Sequence, residues 1–233
     1  MKNIRNIALA ILISIFSSSY ALAEFTVGVS GAIANIEASG TETEGIASGN
    51  DKNTTAINHV LPVGSIFVEY NGVMGTGLTL GLDYIPITAD VADGVQSRTD
   101  TETSVTSTTD HTSTTRNQKA QAELNDHLTL YAAYNVTDSF YLKAGYVTVD
   151  LETTESLDTG AKYGNTDMDG ILIGVGFESE MGNNMVGRIE LSHTNYEEVR
   201  FTSSVARAGV AANTVIDADI EVTQAKASIG YKF

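Results

Sequence analysis

The chain has no cysteine, which excludes a disulfide framework, a thiolate metal site and a thiol nucleophile. Basic residues are scarce, with 13 Lys and Arg against 29 Asp and Glu. Such acidity argues against nucleic acid as a partner, because phosphates select a basic patch. Long apolar runs are missing too. The uncharged apolar run at 7–16 is about half of the roughly 20 residues that a helical span requires. Beyond it no apolar stripe recurs at helical spacing. Insertion of the remaining chain into a membrane must therefore be through strands.

What is present starts with an export signal. Lys2 and Arg5 precede the apolar run, and Ala21-Leu22-Ala23 reads as a cleavage site before Glu24. No Cys follows that site, which argues against a lipoprotein. Residues 1–23 are therefore expected to be a removed secretory signal and 24–233 a single domain. Removing Lys2 and Arg5 leaves 11 basic residues against 29 acids, a net charge of −18. Without disulfides, an exported domain needs another source of stability, and a closed barrel ladder supplies one.

Period-two alternation predicts eight strands, at 25–36, 63–70, 78–87, 124–134, 140–149, 170–178, 185–193 and 222–233. In 79–84, Leu80, Leu82 and Tyr84 share one face, while Gly81 and Asp83 share the other. The chain ends the same way: Ala225, Ala227, Ile229, Tyr231 and Phe233 alternate with Gln224, Lys226, Ser228, Gly230 and Lys232. Connections alternate in length. Those at 71–77, 135–139 and 179–184 are short and rich in turn residues, while those near 38–62, 88–123, 151–169 and 194–221 are long and polar. An even strand number with short turns on one side and long loops on the other predicts an all-β fold. It is an eight-stranded antiparallel up-and-down transmembrane β-barrel, with its long loops extracellular. A soluble lipocalin-like barrel would place its apolar residues inside. Here the charged residues share a face with glycine, which fits the inverse arrangement.

The faces make the expectation specific. Phe25, Tyr70, Tyr134, Phe140, Phe177, Tyr231 and Phe233 crowd the short-turn ends as an outward interfacial girdle. Tyr84 and Tyr146 mark the opposite interface. Glu69, Asp83, Lys143, Glu178, Arg188, Glu190, Lys226 and Lys232 face inward with Tyr131 and Tyr141. Unpaired charges there would be costly, so cross-lumen pairing is required. Arg188 and Glu190 reach toward Lys226 and Lys143, whereas Glu69 and Asp83 need a cation from elsewhere on the wall. An eight-stranded barrel is just wide enough for side chains to fill it, so a plugged polar lumen is expected.

No catalytic, cofactor or metal residues are assigned. His59 and His111 lie in expected loops without ligand spacing, and His127 falls on the lumen face. His193 with Ser192 and Glu190 or Glu197 could suggest a lipid deacylase, but those neighbours alternate faces. Gly174-Val175-Gly176 has no following helix and is not a phosphate loop. The run at 99–115, dominated by Thr, Ser and Asp, reads as a solvated loop.

Taken together, Gly-Leu-Asp-Tyr-Ile-Pro at 81–86, Leu-Lys-Ala-Gly-Tyr at 142–146, Gly-Val-Gly-Phe-Glu at 174–178 and the terminal Gly-Tyr-Lys-Phe resemble the small eight-stranded outer-membrane barrels. That group holds the OmpA transmembrane domain, OmpX and the opacity-type surface proteins. The resemblance covers essentially all of 24–233. It implies that the barrel-assembly machinery reads Phe233, Tyr231 and Ile229. No peptidoglycan-binding domain follows, so cell-wall anchoring is not implied. The expected protein is a monomeric, non-enzymatic resident of the outer membrane of a Gram-negative bacterium. It would contact outer-membrane lipids and lipopolysaccharide, and its loops would carry a structural or surface-interaction role. A small porin or hydrophobic-solute channel is the alternative, and a lipid-modifying enzyme is a further one.

Overall fold

The computed structural model describes residues 25–46, 49–105, 111–157, 160–206 and 213–233. The expected signal at 1–23 lies outside them. Among the described residues eleven strands form, in chain order β1 (Phe25–Ile46), β2 (Gly49–Tyr70), β3 (Leu78–Ile85), β4 (Ala89–Asp90), β5 (Gln96–Val105), β6 (His111–Asn135), β7 (Phe140–Ser156), β8 (Thr166–Gly182), β9 (Met185–Tyr196), β10 (Val199–Thr202) and β11 (Val215–Lys232). Eight of them, β1-β2-β3-β6-β7-β8-β9-β11, make an antiparallel ring closed by pairing of β1 with β11 from Thr26↔Lys232 to Thr43↔Val215. The short β4 and β5 lie along β6, and β10 lies along β11. Each of the eight expected strands is present.

Local chemistry sets the short-turn end. Asn183 and Asn184 take φ of 52° and 61°, the left-handed pair that a two-residue hairpin turn needs. Thr137 Oγ1 accepts from the amides of Ser139 and Phe140 at 3.3 and 3.0 Å to shape the β6–β7 turn. Between β2 and β3, the Asn71 side chain donates to Thr26 Oγ1 at 2.8 Å, tying that turn to β1. The girdle aromatics pair here, Phe25 with Tyr70 and Phe140 with Phe177 across strands and Tyr231 with Phe233 along the chain end, at centroid separations of 5.1–5.3 Å. Each pair contributes about 0.5–1.5 kcal/mol beyond its buried area. Phe25 differs from the other girdle members in being buried, packed against Tyr70.

Two expectations need correcting. The segments near 38–62 and 88–123 are largely strand instead of loop, and those near 151–169 and 194–221 are about half strand. The β1–β2 ladder runs unbroken from Phe25↔Tyr70 to Ile46↔Gly49, and β5–β6 forms a hairpin through the Thr-rich run. Polar composition suggested loops, but a strand standing in water on both sides needs no apolar face to keep its ladder. β3 also stops at Ile85, two residues earlier than expected.

The second correction concerns the interior. It is polar only toward the short turns. Farther up, Ile36, Val147, Val149, Leu151, Met168, Leu172, Ile220 and Val222 form a buried apolar cluster inside the ring. The apolar phase of the strands inverts with height. On β7, Leu142 and Tyr146 are exposed on the outer wall, whereas Val147 and Val149 are fully buried inside. On β1, Val29 and Ile33 face out, while Ala34 and Ile36 face in. The physical reason is a change of solvent. Where the wall leaves lipid and enters water, apolar side chains gain by turning inward.

Close approach demands glycine at several inward positions, Gly81 and Gly176 among them. A Cβ on Gly81 would collide with the Tyr131 ring, and one on Gly176 with the Tyr141 ring. Each ring lies over the bare backbone of its neighbouring strand. Gly176→Val should therefore push Tyr141 out of the lumen and destabilise the barrel by about 1–3 kcal/mol. Urea unfolding in detergent micelles, followed by tyrosine fluorescence, measures this. An unchanged midpoint would contradict the packing.

Candidate functional site

The lumen has three storeys, and the lowest carries the charge. Each inward ionisable side chain predicted from the alternation is found there. Lys143 Nζ lies 3.1 Å from both Glu190 oxygens, and Tyr141 donates to Glu190 Oε2 at 2.9 Å. Lys226 donates to Asp83 Oδ2 at 3.0 Å, as does the Ser65 hydroxyl. Arg188 pairs with Glu69, which also accepts from Tyr131 at 2.7 Å. Arg188 further bonds Glu178 at 2.6 Å, and Lys232 completes Glu178 at 3.3 Å. Four carboxylates thus meet four cations, so the plug is neutral. Lys143 also sits over the Tyr131 ring, 3.9 Å from its centroid.

The register explains this arrangement. Lys226↔Glu190 and Glu178↔Arg188 are direct cross-strand neighbours. Lys143 on β7 reaches Glu190 on β9 over the intervening β8, whereas Lys226 reaches Asp83 across the lumen. The cations that Glu69 and Asp83 were expected to need come from β9 and β11, on the opposite wall. Between these groups remains a cavity of about 20 Å³, on the scale of a single water.

Above the plug lies the apolar cluster, joined to it by the His127–Tyr196 pair at 3.0 Å. The third storey is a polar clasp above the expected lipid band. Arg98 on β5 pairs with Glu42 on β1 and lies 3.6 Å from Glu44. Tyr163 donates to Glu42 at 3.4 Å, and its amide donates to Glu155 at 2.8 Å. Burial and the neighbouring carboxylates of Glu42 and Glu44 push the Tyr163 phenol upward, so it stays a donor. Lys162 and Ser204 exchange hydrogen bonds between the β7–β8 and β10–β11 connections. Neither the clasp nor the apolar middle storey was recognised from sequence. The phase inversion along Tyr146-Val147-Thr148-Val149 was the available signal for the latter.

The histidines do not assemble a catalytic group. His193 bonds Thr223 at 3.0 Å on the outer wall, while Ser192 is buried inside and Glu190 belongs to the plug. His59 stands on β2, not in a loop, and His111 is placed by its strand alone. Among the described residues, no group of three or more His or carboxylate side chains is arranged to hold a metal ion.

A closed antiparallel ring with an exposed apolar belt, an aromatic girdle and a charge-neutral plug defines a transmembrane β-barrel of the bacterial outer membrane. The chain belongs to the outer membrane protein beta-barrel domain family, whose profile matches residues 7–233. No curated protein sequence matches it. Among solved structures it is similar to the outer membrane protein OprG from Pseudomonas aeruginosa, at 13% identity and a TM-score of 0.50, covering 91% of this chain and 96% of that one. It also matches Ail, the attachment invasion locus protein of Yersinia pestis, at 10% identity and a TM-score of 0.36, covering 90% and 99% of the two chains. Neisserial surface protein A matches at 10% identity and 0.34, covering 87% and 97%. At these identities the likeness is one of fold.

Removing one member of a buried pair leaves an uncompensated charge. Lys226→Met should therefore cost about 3–5 kcal/mol, and adding Asp83→Leu should recover most of that loss. Unfolding midpoints of the single and double variants in lipid vesicles check this. Equal midpoints for Lys226→Met and the parent would show that the pair carries no weight.

Proposed function

We propose that this barrel is a closed, non-enzymatic wall element whose tall hairpins act at the cell surface. The observation that carries this reading is the filled lumen. Ion pairs close its base, apolar side chains occupy its middle and the Arg98 clasp spans its top. Between the ion pairs at the base the free space is only about 20 Å³. What varies freely on such a scaffold is the hairpin end, which faces outward in barrels with short periplasmic turns. There the β1–β2 and β5–β6 hairpins extend the wall as braced strands. A braced edge presents its side chains at lower entropic cost than a mobile loop.

A conduit for apolar molecules is the second reading, favoured by the apolar lining of the upper lumen. It would require Val147, Val149 and Met168 to part, and all three are fully buried in one another's company.

Two experiments separate these readings. Replacing 100–116 with an Asn-Gly turn, which keeps the Thr99↔Asn117 register, should leave heat-shifted gel migration and outer-membrane location intact, while abolishing cell attachment or phage adsorption. Surface phenotypes identical to the parent would remove the hairpin role. In planar bilayers, the parent protein should give no reproducible conductance. Steps that change on Arg188→Ala or Glu190→Ala would identify a channel instead.

A further inference from the structure

The wall ladder stops early between β2 and β3, leaving a seam. β1 and β2 pair along their full length, but β2 and β3 pair only from Ile66↔Tyr84 to Tyr70↔Leu80. Among the described residues, no backbone hydrogen bond joins 52–65 of β2 to 86–95. The place where the ladder stops is written in the sequence. Continued by two residues, the register would set Gly64 opposite Pro86; continued by four, Pro62 opposite Thr88. These are the only two prolines in the chain. β1 pairs continuously through Ile33↔Pro62, so the missing N–H of Pro62 falls on the edge turned away from β1. Each of the two successive rungs thus lacks one donor, on alternate strands. The prolines also delete two N–H groups that would otherwise stand unpaired in hydrocarbon.

The seam opens inside the lipid-facing belt. Gly64 and Pro62 pair with Gly31 and Ile33, and Ile33 is among the most exposed apolar residues of the outer wall. One rung higher, Val60 faces Asn35, where the belt ends on β1. Beside the seam the apolar surface continues past that limit through Val60, Ile87 and Val95, each more than half exposed. Its inner lip is apolar as well: Leu61, Val63 and Ala89 pack against the buried cluster that includes Val91. A side chain alone bridges the gap, with Ile87 Cδ1 3.8 Å from where a Cβ on Gly64 would stand.

We infer that this seam is a docking groove for an acyl chain of an outer-leaflet lipid, with Ile87 as its displaceable cover. The groove is continuous with the lipid-facing surface, apolar on both lips and set at acyl-chain depth. An added strand, from a peptide or a second copy, is a poorer occupant, because Pro62 denies it a donor at the middle of the free edge. The inference goes beyond the surface role of the hairpins and does not depend on it.

Photolabelling of the parent barrel tests it directly. The vesicles are phosphatidylcholine with a trace of phosphatidylcholine carrying a terminal acyl-chain diazirine. Adducts should be enriched several-fold on Leu61, Val63 and Ile87 over the open-wall residues Ile173 and Ile229. The variant Pro62→Thr/Pro86→Thr restores both donors; it should lose that enrichment while keeping heat-shifted migration. Even labelling around the belt of the parent barrel would overturn the groove. So would covalent dimers formed through β2 in place of lipid adducts.

Discussion

In hydrocarbon a peptide N–H has no partner except another part of the chain, and this constraint governs the whole structure. It is met by closure: β1 pairs with β2 on one side and β11 on the other, so neither terminal strand presents an edge. The ladder does not end with the lipid. It carries on into the β1–β2 and β5–β6 hairpins, which turns connections of loop-like composition into strands. Between β2 and β3 the ladder stops short, and Pro62 and Pro86 each remove one donor from the rungs beyond the last pair.

The same strands cross from one solvent to another, and their side chains record where. With lipid outside, apolar groups point out and the lumen collects Glu69, Asp83, Lys143, Glu178, Arg188, Glu190 and Lys226. Their pairing offsets a desolvation cost that no single charge could bear. With water outside, Val147, Val149, Ile36 and Ile220 turn inward and build an ordinary hydrophobic core. The barrel is thus a membrane protein below and a soluble sandwich-like tube above, joined near His127 and Tyr196. A lumen filled in both halves is what directs attention from passage to surface.

Much of this was legible beforehand. Thr79–Tyr84 and Phe140–Tyr146 alternate so regularly that strand existence, face and girdle followed from period two alone. The membership of the plug also followed, since a charged residue beside glycine on a strand with a lipid-facing back can only look inward. Less legible was the partner of each charge. Arg188 meets Glu69 from a strand 119 residues away in sequence. That contact depends on stagger around the ring, which no local pattern encodes. The upper storey was missed for a different reason. Inside and outside alternate without a slip along β7, but beyond Tyr146 the apolar residues move from the outward face to the inward one, so apolar-out does not hold for the whole strand.

Sequence by itself determined the class of solvent, the number of wall strands, the aromatic end and the set of charges that had to be buried. All of these are properties of neighbours along the chain, set by a period of two residues and by turn chemistry. Tertiary structure alone decided which carboxylate holds which cation, how far each strand rises and where the ring fails to zip. Those outcomes depend on the shear of the closed ring, because closure brings together residues that the chain keeps far apart.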